Sequence, residues 1–179
     1  MRDEKIAVVT AREAFDGNPL VQVGSAAPNW ICLRVSPAIE LKEQVAAFFR
    51  SQLADLPGEL CESLSLALEE LLSNAMEHGC HLDTHSGVEL SVIRTPHVLI
   101  VHVRDAGNGF SFSNIAHAAI NNPPEDPLRH TKLRSDMGLR PGGYGIMLVK
   151  EIADELIYNE AGNEVMFLKY LHSANGTHS

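Results

Sequence analysis

The nine residues Glu70-Leu71-Leu72-Ser73-Asn74-Ala75-Met76-Glu77-His78 carry three polar side chains at four-residue spacing inside a segment otherwise built for burial. From Leu60 to His78 the apolar residues Leu64, Leu68, Leu71, Leu72 and Ala75 recur at the spacing of one helix face. On an α-helix Glu70, Asn74 and His78 drift by only about 40° per step, so they form one polar stripe. A carboxylate, an amide and an imidazole along a largely apolar helix are an odd set to bury without a ligand. Together they have the chemistry to hold a metal, a phosphate or a proton in transfer. The alternative is that Glu70 and Asn74 face water at the helix edge and that His78 only ends the helix, with Gly79 as its C-terminal stop. Asn74, set among Leu71, Leu72, Ala75 and Met76, fits that alternative least.

A chain of 179 residues, 45% hydrophobic, supports one substantial core and is short for two. A net charge of -9 and a pI of about 5.4 argue against a nucleic-acid surface, which needs clustered Lys and Arg. Cys32, Cys61 and Cys80 are odd in number and far apart, which fits neither a disulfide framework nor a paired metal motif and favours a reducing compartment. No run reaches the roughly 18 apolar residues of a membrane span, and Met1 to Phe15 lacks the apolar core of a leader. The expectation is a cytoplasmic protein, not embedded in a membrane.

Along the chain, residues 1–28 carry a β-prone piece, Ile6 to Thr10, and read as an arm or edge strand. The main domain is expected over 29–172, with 173–179 a frayed tail. Trp30 to Val35 alternates as a strand. Ser36 and Pro37 have the chemistry of a cap and first helical position for a helix from Ala38 to Leu53. After the striped helix come Val88 to Arg94 and His97 to Arg104, a predicted hairpin. The stretch Ser111 to Gly143 starts with a short helix, Ser113 to Ile120. It then runs polar through Asn121-Asn122-Pro123-Pro124-Glu125-Asp126-Pro127, too long for an idle connection, and reads as a mobile lid. A helix from Tyr144 to Asp154 and strands Glu155 to Asn159 and Glu164 to Leu171 complete an α+β sandwich, a mostly antiparallel sheet with helices on one face.

Two further clusters stand out. In the strand His97 to Arg104 the residues Leu99, Val101 and Val103 share a face, and Asp105 falls on that same inward side. A carboxylate there is costly unless it meets a donor, such as the amino group of a base. It opens Asp105-Ala106-Gly107-Asn108-Gly109-Phe110, whose glycines permit a sharp turn and close approach of a ligand; a plain Asp-x-Gly turn is the competing reading. Pro141-Gly142-Gly143-Tyr144-Gly145-Ile146 leads into a helix, where freed backbone N–H groups form a phosphate cradle or, on the plainer reading, a hinge. The histidines His81, His85, His97, His117 and His130 show no metal spacing and read as surface or loop residues.

The order is more specific than its parts: a helix with Glu-x-x-x-Asn-Ala, a hairpin ending in Asp-x-Gly-x-Gly-Phe, a lid, then Gly-x-Gly leading a helix. In this order, over roughly Trp30 to Leu171, the sequence resembles the ATP-binding domain shared by gyrase, the heat-shock chaperones, histidine kinases and mismatch-repair proteins. It resembles most narrowly the bacterial anti-sigma factor serine kinases. The resemblance implies a two-layer α/β sandwich of the histidine-kinase-like ATPase (Bergerat) type with an ATP lid. It further implies Asn74 as ligand of the Mg²⁺ that bridges the ATP phosphates, with His78 nearby, and Glu70 as base toward the attacking hydroxyl. Asp105 would accept from the adenine amino group, while Gly107, Gly109 and Phe110 would shape the base pocket. Gly142, Gly143, Gly145 and Ile146 would carry the lid over the phosphates. Lys132, Arg134 and Arg140 are candidates for a lid cation, with no choice among them. The chain departs from the family where Gly162-Asn163 replaces the frequent Gly-Thr of the final turn.

The implied activity is that of an ATP-dependent protein-serine/threonine kinase acting as an anti-sigma factor or related partner-switching regulator. Its substrate would be an anti-anti-sigma-type protein, a sigma factor is a further implied partner, and a homodimer is expected. The alternatives are a catalytically silent ATP-gated binding module and a stand-alone histidine-kinase-like ATPase domain, for which fewer than about 30 residues precede the domain, little for a two-helix phospho-acceptor.

Overall fold

The structure, a computed structural model, describes residues 9–109, 121–137 and 143–171. Period-two alternation builds the sheet. Strands β1 (Val21–Ala27), β2 (Trp30–Val35), β3 (Val88–Arg94), β4 (Val98–Arg104), β5 (Glu155–Tyr158) and β6 (Glu164–Tyr170) pair antiparallel throughout, in the order β1-β2-β3-β4-β6-β5. Ile31, Leu33 and Val35, then Leu90 and Val92, then Leu99, Val101 and Val103, then Val165 and Phe167 all point to one face and are buried. β1 and β5 are the edge strands, and β1 is kinked by a register shift between Val23 and Ser25.

That face is covered by α2 (Ile39–Gln52) and α3 (Gly58–Asn74), which pack on each other, and by α5 (Gly145–Ile152), which packs on α3. α2 contributes Leu41, Val45, Phe48 and Phe49 to the core, and α3 contributes Leu64, Leu68, Leu71 and Leu72. This is the two-layer α+β sandwich with helices on one side that the period analysis predicts. Arg94 joins the layers at one end: its guanidinium donates to both carboxylate oxygens of Asp55, at 2.8 and 2.7 Å, and to the Gln52 carbonyl at 2.7 Å.

Local readings shift in four places. Thr10, expected at the end of a β-prone piece, instead caps the one-turn helix α1 (Ala11–Ala14) through a capping box with Glu13; Ile6 to Val8 lie outside the described residues. α2 begins after Ala38 rather than at Ser36-Pro37, without a side-chain cap. The segment expected to form a lid contains an unexpected helix, α4 (Arg129–Asp136), whose sequence Arg-His-Thr-Lys-Leu-Arg-Ser-Asp has too few apolar residues to show a period. The expected helix Ser113 to Ile120 lies outside the described residues.

The fourth shift is in the striped helix. α3 ends at Asn74 and continues as a π-turn, Ala75–Gly79, closed by Cys80 N–H donating to the Ala75 carbonyl at 2.8 Å. The chain leaves it through His81 and Leu82, both in the left-handed region at φ 51 and 56. Gly79 is not among the positive-φ residues, so it is not the left-handed stop expected of a glycine there. Among the described residues no helix is long and apolar enough to cross a membrane.

Candidate functional site

β4 lies beside β6, not β5, so after Asp105 the chain leaves the sheet, re-enters it at the far edge as β5 and turns back into β6. The excursion between Asp105 and β5 carries α4 and α5, and it leaves a cleft of about 240 Å³ between the end of β4, the π-turn and α5. Leu71, Ala75, Val103, Ile146 and Val165 give it apolar walls; Asn74, His78 and Asp105 give it polar groups. An apolar slot with a few convergent polar groups suits a flat heterocycle bearing one or two hydrogen-bonding edges.

The Asp105 end is a set of interlocking backbones. Gly79 sits against the Asp105 carboxyl so closely that a Cβ there would overlap its carbon. A Cβ on Gly107 would overlap the Gly79 carbonyl oxygen, and one on Gly109, itself at φ +73, the Ala161 carbonyl oxygen. Gly107 N–H donates to Asp105 Oδ1 at 2.8 Å, which leaves the other carboxylate oxygen for a ligand donor. Burial pushes the Asp105 carboxyl above the usual carboxylate range, partly offset by the Gly107 N–H and the charge of His81.

The turn Asn159 to Glu164 braces this end. Asn159 Oδ1 accepts from the backbone N–H groups of Gly162, Asn163 and Glu164 at 2.7, 3.1 and 3.2 Å, and its amide donates to Asn163 Oδ1 at 2.8 Å. Asn163 in turn donates Nδ2–H to the Gly107 carbonyl at 3.1 Å and accepts Asp105 N–H on its own carbonyl at 3.0 Å. The departure from Gly-Thr therefore retains a polar contact, and here it goes to the Asp-x-Gly backbone. Tyr158 also lines the cleft, and burial pushes its hydroxyl up to about 12.

At the other end Gly145 opens α5 against α3. A Cβ on Gly145 would overlap Glu70 Oε2 and stand 3.8 Å from Asn74 Nδ2. The half-buried carboxylate, the amide and the N-terminus of an eight-residue helix thus meet beside the cleft, with Gly143 at φ 90 allowing the approach. Helix N-terminal N–H groups attract anions.

Of the residues singled out from sequence, Asn74, His78, Asp105, Gly109 and Ile146 line the cleft, and Glu70, Gly107 and Gly145 border it, while Gly143 stands two residues before Gly145 at φ 90. His78 is exposed at the rim. Phe110, Gly142, Arg140 and the side chain of Arg134 lie outside the described residues. Lys132 is exposed and 3.9 Å from Asp126. The sequence reading missed Gly79, Tyr158 and Glu164 as site residues; none carries a signal in its own segment, Gly79 reading there only as a helix stop. His130, expected at the surface, is fully buried: its backbone N–H donates to Asn122 Oδ1 at 2.9 Å and its ring stands edge-on to Tyr144, centroids 4.4 Å apart. It ties α4 to the residue that precedes α5.

Among the described residues no three His, Cys, Asp or Glu side chains cluster as a metal site. A protein-only metal cage is therefore not what this cleft provides. One amide beside a phosphate-ready helix N-terminus does fit Mg²⁺, which takes few protein ligands and shares phosphate oxygens and waters. A sequence profile of the family described as histidine kinase-like ATPase domain matches residues 35–169. No curated protein matches the chain.

Proposed function

The chain belongs to the histidine kinase-like ATPase family, and from that premise we propose that it is an ATP-dependent protein-serine/threonine kinase of the partner-switching, anti-sigma type. The observation that carries this reading is the contact of Gly145 with Glu70 and Asn74, because it brings a carboxylate to the phosphate end of a nucleotide cleft. Binding alone is served by the amide and the helix N-terminus; a carboxylate held beside them suits a base that activates an attacking O–H, and the transfer reading takes that O–H to be a protein hydroxyl rather than water.

In this reading the adenine enters between Leu71, Val103, Ile146 and Val165, with its amino group donating to the free oxygen of Asp105. The α5 N-terminus binds the phosphates, and Asn74 is the protein ligand of Mg²⁺. When bound, Mg²⁺ neutralises charge on the transferring phosphoryl group. Glu70 accepts the proton of the attacking serine or threonine hydroxyl. The lid, held to α5 by His130 on Tyr144, excludes water so that the protein hydroxyl outcompetes it. Positioning supplies most of such a reaction, so Glu70 is one contributor of about 10²- to 10⁴-fold. The acceptor is a small anti-anti-sigma-type protein, and a sigma factor is the second partner.

The test is transfer from labelled ATP with Mg²⁺ to candidate acceptors recovered from the native cell. Acid-stable label on the acceptor supports the reading; acid-labile label points to phosphohistidine and overturns the substrate class. Glu70→Gln is expected to keep ATP affinity within a few-fold while lowering transfer at least about 10²-fold. Tight ATP binding with no transfer to any acceptor would leave the protein an ATP-gated binding module.

A further inference from the structure

The floor of the cleft is a row assembled across three strands. Register places Val103 of β4 beside Val165 of β6, and Val165 beside Tyr158 of β5, the far edge strand. All three line the cleft; the two valines are buried and Tyr158 is half-buried. Asp105 continues the inward side of β4 two residues past Val103. Strands lie about 4.8 Å apart and rise about 3.4 Å per residue, so Asp105 and Tyr158 stand at opposite corners of a floor about 10 by 7 Å.

The other polar side chains around the cleft are engaged elsewhere. Asn74 stands beside Gly145 at the phosphate end, and His78 is exposed at the rim. The Asn163 amide donates to the Gly107 carbonyl while its oxygen accepts from Asn159. The Glu164 carboxylate pairs with Arg104 at 3.0 Å on the open face of the sheet, away from the helices. Among the described residues this leaves the Tyr158 hydroxyl as the side-chain group that meets a base from the side opposite Asp105. Burial pushes that hydroxyl up to about 12, so near neutral pH it is an uncharged O–H.

We infer that Tyr158 is a second base-reading residue, its O–H donating to the adenine ring nitrogen N3 while Asp105 takes the amino group. This rests on the nucleotide reading of the cleft and names what selects the base within it. N3 lies across the six-membered ring from the carbon that bears the amino group. One hydrogen bond at each end therefore makes a line of about 10 Å from carboxylate to hydroxyl, close to the floor's diagonal of about 12 Å between backbones. Guanine fails at both ends: it turns a carbonyl oxygen toward the Asp105 carboxylate and sets an amino group beside N3. A base without the ring nitrogen is rejected because the buried O–H is left unpaired.

The test is calorimetric titration of the full chain with ATP, 3-deaza-ATP and 7-deaza-ATP. The wild type is expected to bind 3-deaza-ATP about three- to tenfold more weakly than ATP, the worth of one neutral hydrogen bond. Tyr158→Phe keeps the ring and is expected to weaken ATP by the same factor, after which ATP and 3-deaza-ATP bind within twofold of each other. The ratio of ATP to 7-deaza-ATP, which differ on the amino edge, is expected to be the same in both proteins. Equal binding of ATP and 3-deaza-ATP by the wild type overturns the inference without recourse to a variant. Wild-type ATP affinity in Tyr158→Phe overturns it, as does a preference for ATP over 3-deaza-ATP that survives the substitution, the mark of a residue that only packs. These outcomes leave the nucleotide reading standing; a wild type that binds no adenine nucleotide overturns both.

Discussion

Gly79→Ala isolates the contact that shapes the base end of the cleft. Helix propensity alone favours the change, since replacing Gly by Ala inside a helix gains up to about 1 kcal/mol. The structure reverses the functional outcome. The new methyl would occupy the place of the Asp105 carboxyl, whose Oδ2 stands 2.5 Å from the Cβ position. The carboxyl is the end of a short side chain and can swing away, giving up the Gly107 N–H bond and regaining water. Losing that charge-assisted bond costs about 1.5–3 kcal/mol before rehydration, so the net stability change is a loss of about 1 kcal/mol and a melting point lower by about 2–4 °C. The nucleotide loses more, because the swung carboxylate no longer meets the adenine amino group. A charge-assisted hydrogen bond of about 1.5–3 kcal/mol corresponds to roughly 10- to 150-fold in affinity. Isothermal titration with ATP measures this directly. Gly58→Ala is the control: it lies in the same helix, nothing stands within 4 Å of its Cβ position, and it is expected to leave affinity unchanged. ATP affinity in Gly79→Ala within twofold of wild type would refute the reasoning, and so would an equal loss in Gly58→Ala.

Asp105→Asn separates stability from binding. Burial raises the Asp105 value above the ordinary 3.8, so the folded state holds its proton more tightly than the unfolded state. The stability penalty of the buried charge is therefore fully present above the raised folded value and vanishes as pH falls to the unfolded one. The asparagine variant is expected to melt at or above the wild type near pH 8, the difference closing on acidification, while ATP affinity is lost at every pH. In the wild type, ATP affinity should fall as pH drops through the raised value, a trend that titration calorimetry across pH would detect. At the opposite end of the sheet, Arg94→Ala removes the bidentate pair with Asp55 and is expected to lower stability by about 1–2 kcal/mol in urea melts. Arg94 holds the Asp55 carboxyl below the usual range, so this stabilisation is present above the unfolded value of 3.8 and is lost as pH falls through the lower folded one.

What the sequence by itself determined is whatever depends on neighbours along the chain. Alternation at Ile31, Leu33 and Val35 and at Leu99, Val101 and Val103 fixes strands and their inward face, and from that face Asp105 follows one step on. Helical spacing from Leu64 to Leu72 fixes α3 and puts Glu70 and Asn74 on one stripe, and the order of these motifs marks the family. The tertiary structure decided what depends on residues far apart in sequence. Gly79 is glycine because Asp105 needs its space, and Gly145 because Glu70 does; neither is legible from its own segment, since the neighbour arrives from another element. Asn163 reaches Gly107 only because β4 and β6 are adjacent in the sheet. His130 sits in a polar octapeptide and is buried by Tyr144, which no local pattern announces. The open face of the sheet likewise exists only once the strands are in register, because its rows are assembled from one residue of each strand. Periodicity encodes which way a side chain points; contact between separate elements decides what it meets there.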